Sequence, residues 1–283
     1  MTYTASAELI DSFSVFAGPE IEDETIDLIR AALVVARTEY PGLDLEAYAG
    51  RIELLASRVA GLTPDYNPQH ALAALNRVLF EEGNLTGNRE DFYDPRNSFL
   101  NDVLDRGLGI PITLSIVYME VARRVGLHLS GVSMPGHFLL KYHTDKGKET
   151  LIDCFNRGDF LSRQDCQSRL DDIYSGEMKL RPEYLHPMSR RQILNRMLNN
   201  LKAVYLSTRN FRKALTIADL ILVVFPHSPE DVKQRALLRY SLGLQRLAAE
   251  DLDDYLRIAP NAPDAKEIRQ MSISIRRMLA LMN

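Results

Sequence analysis

The spacing of apolar and polar residues divides the chain into a helical N-terminal part, a mixed centre and a helical tail. Over residues 1–90 the apolar side chains recur at helical spacing. The pattern predicts three helices, the first opening at Ile21, the second over 43–60 and the third over 68–82. The acidic residues at 22–24 are expected in the first turn of the first helix, where carboxylates are favoured.

The most apolar stretch lies at residues 109–118 and predicts the central element of the fold. Pro111 suits the first position of a helix, because its missing N–H is one that a helix start leaves unpaired. The helix is expected to end at Arg123, Arg124 and Gly126, with cations in the last turn and glycine after it. Its first turns are apolar nearly all round, so we expect a buried helix.

Two strands are predicted after this helix, over 131–142 and 150–155, with a turn at 143–149 between them. His137 and Asp153 are placed symmetrically about residue 145, inside that turn. If the strands form a hairpin around this point, the two side chains lie opposite one another and can form a hydrogen bond. The sequence therefore predicts a His–Asp pair on a small antiparallel sheet.

The tail contains an internal repeat of 34 residues, which is the period of the tetratricopeptide repeat. Two helical hairpins are therefore expected between about residues 190 and 260, and 264–283 is predicted to be a terminal capping helix. In the second unit Arg239 stands where the motif has tyrosine. The pairs at this period are Ala214 and Ala248, Pro226 and Pro260, and Pro229 and Pro263, and the first unit also places Leu198, Leu201, Tyr205 and Ala218 at motif positions.

Composition and charge restrict the classes of protein to which the chain can belong. With 46% hydrophobic and 25% charged residues over 283 positions, it is expected to be globular, with one large or two ordinary domains. The net charge of −4 argues against bulk nucleic-acid binding. Neither a secretory signal nor a membrane-spanning run is recognised, and two cysteines make no disulfide framework, so a reduced, cytoplasmic location is predicted.

A buried helix followed by a His strand and an Asp strand is the order of elements in the papain and transglutaminase thiol fold. That fold places a nucleophilic Cys at the helix start, about fifteen residues before the glycine that ends the helix, with His as base and Asp to orient it. Counting back from Gly126 leads to Pro111. His137 and Asp153 are therefore interpreted as the remnant of a catalytic triad that has lost its nucleophile.

The motifs resemble those of a bacterial family, the SirB-one type, whose members join a transglutaminase-like domain to C-terminal tetratricopeptide repeats. The resemblance extends over most of the chain from about residue 20 and implies that fold. Members usually have proline after the strand Asp, where this chain has Cys154. A similar domain in some eukaryotic F-box proteins implies a role in protein interaction. The matching segments are 92–104, 109–115, 135–138 and 152–153.

Without a cysteine at the helix start, catalysis or metal binding near His137 and Asp153 would depend on other hydroxyl, thiol or metal-binding side chains. Cys154 follows the strand carboxylate, so it is expected to face away from the site. Ser115 lies one turn beyond Pro111 on the same helix face and is the alternative nucleophile, unless it bonds back to its own helix. His143 lies too far along the strand from His137 to complete a metal site, so neither a metal nor another cofactor is expected.

A dense polar cluster precedes the central helix, at Asp94, Arg96, Asn97 and Asn101. Together with Pro111 these residues are candidates for a ligand pocket, in which Arg96 would bind a carboxylate or phosphate through two hydrogen bonds. The alternative is a structural network that ties this loop to the predicted hairpin.

The sequence thus predicts an α+β protein with a helical N-terminal part, a transglutaminase- or papain-like core and a tetratricopeptide-like helical tail. The core is a central helix packed on a small antiparallel sheet, and the expected domains are residues 1–188 and 189–283. The predicted function is non-catalytic, regulatory binding of a protein or peptide partner through the tail, with no nucleic-acid or membrane partner. The alternative is a cryptic hydrolase or acyltransferase that uses His137 and Asp153 with Ser115.

Overall fold

The computed structural model describes residues 3–65, 67–143 and 149–281, and the chain divides into two compact units. The larger unit is Asp23–Met197, and the smaller unit combines Met1–Glu22 with Leu198–Asn283. This division differs from the expected one at 188/189. The N-terminal residues group with the tail because α1 (Tyr3–Ala17) packs against α9 (Phe211–Val224).

The N-terminal part of the larger unit is helical, as predicted, but its first helix begins at Leu28 rather than at Ile21. The side chain of Asp27 caps this helix by accepting a hydrogen bond from the Arg30 N–H at 2.9 Å. The acidic residues that precede it form a separate 3₁₀ turn, Asp23–Thr25. The helices of this part are α2 (Leu28–Ala36), α3 (Leu45–Leu62) and α4 (Pro68–Asn76), which continues as a π-helical turn over Arg77–Glu82, and α5 (Leu100–Arg106) follows.

The central helix is present as α6 (Pro111–Arg124), with Gly126 in the left-handed region at φ +81°. All side chains over residues 111–122 are buried, because α2, α3 and α4 pack on one side of the helix and strands pack on another. Within this core the rings of Phe80 and Tyr118 are stacked, with 5.8 Å between their centroids. The helix therefore forms the centre of the larger unit.

A four-stranded antiparallel sheet packs beside α6, with the strands in chain order. The segment 131–142, predicted as one strand, is two strands that pair with each other. The chain reverses between them at Pro135 and Gly136, where Gly136 has φ +71°. The strands are β3 (Ser130–Val132), β4 (Leu139–His143), β5 (Glu149–Asp153) and β6 (Asp159–Leu161), while β1 (Thr86–Gly87) and β2 (Leu108–Gly109) form a separate parallel pair.

The β4–β5 hairpin has a different register from the predicted one. Symmetry about residue 145 would pair Leu140 with Thr150, whereas the structure pairs Leu140 with Ile152. The predicted turn falls largely on residues 144–148, which lie outside the described residues. β5 also ends at Asp153, and the chain then turns through 154–156 in a 3₁₀ helix. The larger unit is completed by α7 (Arg163–Tyr174) and the first part of α8 (Arg190–Ser207).

The smaller unit repeats its helix bounds at an interval of 34 residues. α9 (Phe211–Val224) and α11 (Gln245–Ile258) begin and end at equivalent positions. The turn bond from Asn210 N–H to the Tyr205 carbonyl recurs as the bond from Leu244 N–H to the Arg239 carbonyl. The tetratricopeptide tail is therefore confirmed, with α10 (Pro229–Ser241) between these helices and α12 (Ala265–Leu281) at the end.

Ala214 provides a test of the packing in the first repeat. Its side chain is fully buried in α9, so Ala214→Leu should overpack the contact and reduce the free energy of unfolding by about 1–3 kcal/mol. Urea unfolding followed by far-UV circular dichroism measures the loss. Ala203→Leu, at an exposed position of α8, is the matched control and should leave the unfolding midpoint unchanged. Equal effects of the two substitutions would contradict the packing assigned to Ala214.

Candidate functional site

The structure brings His137 and Asp153 together, although it does not place His137 on a strand. His137 lies in the reversal between β3 and β4, where its N–H donates to the Met134 carbonyl at 3.0 Å, and Asp153 is the last residue of β5. The Nε2 atom of His137 is 2.9 Å from Asp153 Oδ2, but the ring N–H is not aligned for a straight hydrogen bond to that oxygen. The contact therefore arises from a tight turn rather than from the predicted cross-strand register.

Asp153 is fully buried and has more partners than the sequence indicated. Its Oδ1 accepts from the backbone N–H groups of Phe155 and Asn156, and its Oδ2 accepts from Asn156 Nδ2 at 2.7 Å. Arg169 of α7 places a guanidinium nitrogen 3.1 Å from the same oxygen. Burial alone raises the pKa of Asp153, but His137, Asn156 and Arg169 outweigh it, so the pKa is lowered and the carboxylate stays charged.

Sequence reasoning missed Arg169 and the capping role of Asn156. Asn156 follows Asp153 by three residues at the start of a predicted turn, a spacing that allows a carboxylate to cap the turn. Arg169 offers no comparable local signal, because it comes from a polar helix and reaches Asp153 only in the folded chain.

Phe155 packs against His137 and is itself held by further aromatic and cationic side chains. The Phe155 ring meets the His137 ring edge-on, with 6.2 Å between centroids, and the Phe92 ring also packs against Phe155, with 6.0 Å between centroids. Arg89 lies over Phe155, with its guanidinium carbon 5.4 Å from the ring centroid. The Phe155 ring packs directly against the backbone at Gly87, because a Cβ atom at that position would lie only 2.4 Å from the ring.

The start of α6 is closed by its own hydrogen bonds. Pro111 is buried and has no N–H to offer a bound oxyanion. The Ile110 N–H donates to Thr113 Oγ1 at 3.1 Å, and the same hydroxyl donates to the Asn97 carbonyl at 2.8 Å. Thr113 thus ties the helix start to the preceding loop.

The serine and both thiols are removed from solvent. Ser115 is fully buried, and its Oγ has no nitrogen or oxygen partner and lies beside the Cys154 thiol. It therefore does not bond back to its own helix. Burial raises the pKa of the Cys154 thiol well above its usual range, although the Ser115 hydroxyl partly lowers it. Burial likewise raises the pKa of Cys166 to about 11, so neither thiol is an activated nucleophile.

In the polar cluster before the central helix, Asp94 and Arg96 pair with each other, and Asn97 bonds to the preceding loop. Asp94 accepts from the Arg96 guanidinium at 2.8 Å and from Arg106 at 3.2 Å. Burial raises the pKa of Asp94, but these two arginines outweigh burial and lower it. The fully buried Asn97 donates to the Asp91 carbonyl at 2.7 Å. Asn101 is also buried, and its Oδ1 has no hydrogen-bond partner.

Residues 3–65, 67–143 and 149–281 contain neither a metal-binding cluster nor a membrane-spanning helix. No three His, Cys, Asp or Glu side chains in these ranges are grouped so as to hold a metal ion. Each helix within them is too short or too polar to cross a membrane.

Comparison with known proteins gives two family matches. A model of the transglutaminase-like superfamily matches residues 46–199, and a tetratricopeptide repeat model matches residues 201–272. A UPF0162 protein of Xylella fastidiosa is 38% identical over 258 residues, which are 88% of this chain and 90% of that protein. A UPF0162 protein of Vibrio cholerae is 27% identical over 87% of this chain and 91% of its own length.

A third relative shares only part of its length with this chain. F-box only protein 21 of Mus musculus is 30% identical over 186 residues, which are 61% of this chain and 28% of that protein.

Proposed function

Since the chain belongs to the UPF0162 family, with a transglutaminase-like domain followed by tetratricopeptide repeats, we propose that it is a non-catalytic protein that binds a protein or peptide partner. The observation that carries the proposal is Pro111. A transglutaminase-like enzyme needs a thiolate at this helix start, and here a buried proline without an N–H occupies the position.

The His–Asp pair supports the same proposal. Asp153 is shared between His137, Asn156 and Arg169, an arrangement that holds the β5 end, the β3–β4 reversal and α7 together. The presence of the pair is therefore explained by a structural role, without a catalytic reaction. A carboxylate held in this way resists protonation, so the contact persists at neutral pH.

The interaction role rests on the tail and on the relatives. Tetratricopeptide units stack helical hairpins into extended surfaces of the kind that bind other proteins. In F-box only protein 21 the matching segment is 28% of a longer protein, as expected of a module that works beside others. Two free, buried cysteines fit the reduced cytoplasm, which is the location we propose.

Affinity capture tests the proposal. The immobilised full chain is incubated with bacterial lysate, and bound proteins are quantified by mass spectrometry with free chain as competitor. We expect a specific partner that is retained equally by wild type and by His137→Ala, because binding does not use His137 as a base. Absence of any competed partner, or a substrate that accumulates only on His137→Ala, would contradict non-catalytic binding.

The second candidate function is a hydrolase or acyltransferase with Ser115 as nucleophile, and the 2.9 Å contact between His137 and Asp153 favours it. We predict that a fluorophosphonate probe leaves Ser115 unlabelled in the folded chain, because its hydroxyl is fully buried beside Cys154. Peptide mapping of the treated chain measures the labelling, with Ser115→Ala as the control for background signal. Labelling of Ser115 that disappears in His137→Ala would favour the enzyme.

A further inference from the structure

The two tetratricopeptide hairpins end in equivalent turns. The turn between α8 and α9 is closed by the bond from Asn210 to Tyr205, and the turn between α10 and α11 by the bond from Leu244 to Arg239. Both bonds run from a backbone N–H to a carbonyl, and both partners are displaced by one repeat of 34 residues. Successive hairpins of a repeat array point the same way, so the two turns lie at the same edge.

This edge exposes large apolar side chains at repeated positions. Leu206 and Tyr240 occupy the same position in successive repeats and are 39% and 45% exposed. Phe211 and Leu244 flank the two turns and are also more than a third exposed. Apolar side chains that recur at one edge of successive repeats form a patch of the kind that marks an interaction site, unlike apolar residues scattered singly.

The charge of the edge is opposite to that of the whole chain. The segments 205–213 and 237–247 contain five cationic residues and no acidic residue, whereas the chain has a net charge of −4. Arg212 and Arg246 occupy equivalent, exposed positions next to the apolar patch. Arg246 lies 3.4 Å from Glu250, but both side chains are exposed, and such a surface pair contributes at most about 1 kcal/mol.

Lys213 and Arg239 of these segments already interact within the chain, and the Lys213 ammonium lies 5.7 Å from the Tyr205 ring centroid. Arg239 lies 2.8 Å from Asp251 and 3.5 Å from Asp219, in a largely buried network that also holds Arg235. Arg212 and Arg246 lie at the rim of the apolar patch, are exposed, and repeat from one unit to the next.

We propose that this turn edge, formed by Leu206, Phe211, Arg212, Tyr240, Leu244 and Arg246, binds an acidic amphipathic segment of a partner protein. The apolar side chains of the segment contact Leu206 and Tyr240, and its carboxylates pair with Arg212 and Arg246. The inference rests on the proposed function and names the class of partner. A nucleic acid is less suitable, because a chain with a net charge of −4 lacks the broad basic surface that a phosphate backbone requires.

Fluorescence anisotropy with the full chain tests the proposal. The probe is a fluorescein-labelled peptide of about 18 residues built from Glu, Leu and Phe, with the apolar residues at helical spacing. We expect saturable binding that weakens as salt is added. The variants Leu206→Ser with Tyr240→Ser, and Arg212→Glu with Arg246→Glu, should each weaken binding at least about tenfold, or ~1.4 kcal/mol.

The matched control pairs the same kinds of substitution on α12, Ile273→Ser with Arg269→Glu, at exposed positions away from the turns. Circular dichroism verifies that every variant is folded. The charge-reversed variant should also bind a peptide in which Lys replaces Glu, which a merely unfolded variant would not do. No binding of the acidic peptide, equal weakening by the control pair, or tighter binding of a labelled single-stranded oligonucleotide would overturn the proposal.

The lysate experiment separates this inference from the proposed function. If wild type captures a competed partner and the Arg212→Glu, Arg246→Glu variant captures it equally well, the chain binds a partner but not through the turn edge. If wild type captures none, the proposed function fails first.

Discussion

The substitution Pro111→Cys is expected to give a thiol that iodoacetamide alkylates with an apparent pKa well below the free value of about 8.5. The start of a helix favours the thiolate, and α6 begins at this residue. With His137 Nε2 against Asp153, Nδ1 is the ring nitrogen left to face a thiol. The lowered pKa of Asp153 keeps its carboxylate charged, which stabilises the imidazolium that such a thiolate requires.

The measurement is the alkylation rate against pH. Wild type supplies the background, because the pKa values of both native thiols are raised by burial. Adding His137→Ala to Pro111→Cys should raise the apparent pKa of the introduced thiol and slow alkylation at neutral pH. A thiol that is inert, or that reacts equally without His137, would show that the His–Asp pair does not face the helix start, and the thiol-fold interpretation would be wrong.

The substitution Asp153→Ala should reduce the free energy of unfolding by about 3–5 kcal/mol, because it removes a fully buried carboxylate and leaves the buried His137 and the half-buried Arg169 without their shared partner. Asp159→Ala is the matched control. The exposed Asp159 carboxylate lies 4.0 Å from the same arginine, so its removal should cost at most about 1 kcal/mol. The chain has no tryptophan, so urea unfolding is followed by tyrosine fluorescence and circular dichroism.

The contribution of Asp153 should also depend on pH. Because the pKa of Asp153 is lowered in the folded chain, its stabilisation is fully present above the unfolded carboxyl pKa of about 3.9. It is lost as the pH falls below that value through the folded pKa. Wild type should therefore lose stability towards acid more steeply than Asp153→Asn. Equal acid sensitivity of the two chains, or equal effects of Asp153→Ala and Asp159→Ala, would contradict the role assigned to the carboxylate.

Local signals were enough to predict the central helix and the repeats. Pro111 at the first position and Gly126 after the last turn are read from neighbouring residues, because the start and end of a helix depend on backbone groups within one turn. The 34-residue period likewise reflects packing between adjacent hairpins, so Ala214 and Ala248 could be assigned to equivalent buried positions.

The candidate site was predicted only in part. The sequence predicted that His137 and Asp153 lie close together, but not that His137 reaches Asp153 from the β3–β4 reversal instead of across a pair of strands. Pro135 and Gly136 reverse the chain before His137. The alternation of inward and outward side chains along a strand does not indicate where the chain reverses, so the segment 131–142 was predicted as one strand.

The sequence by itself determined the elements whose causes are local: the buried helix that begins at Pro111, the helical hairpins and the absence of a cysteine at the helix start. Tertiary structure alone decided that Arg169 shares Asp153 with His137, that Ser115 is enclosed beside Cys154, and that α1 joins the tail. These contacts join residues far apart in the chain, and only packing of the whole core selects among the many partners that a polar or apolar side chain could find.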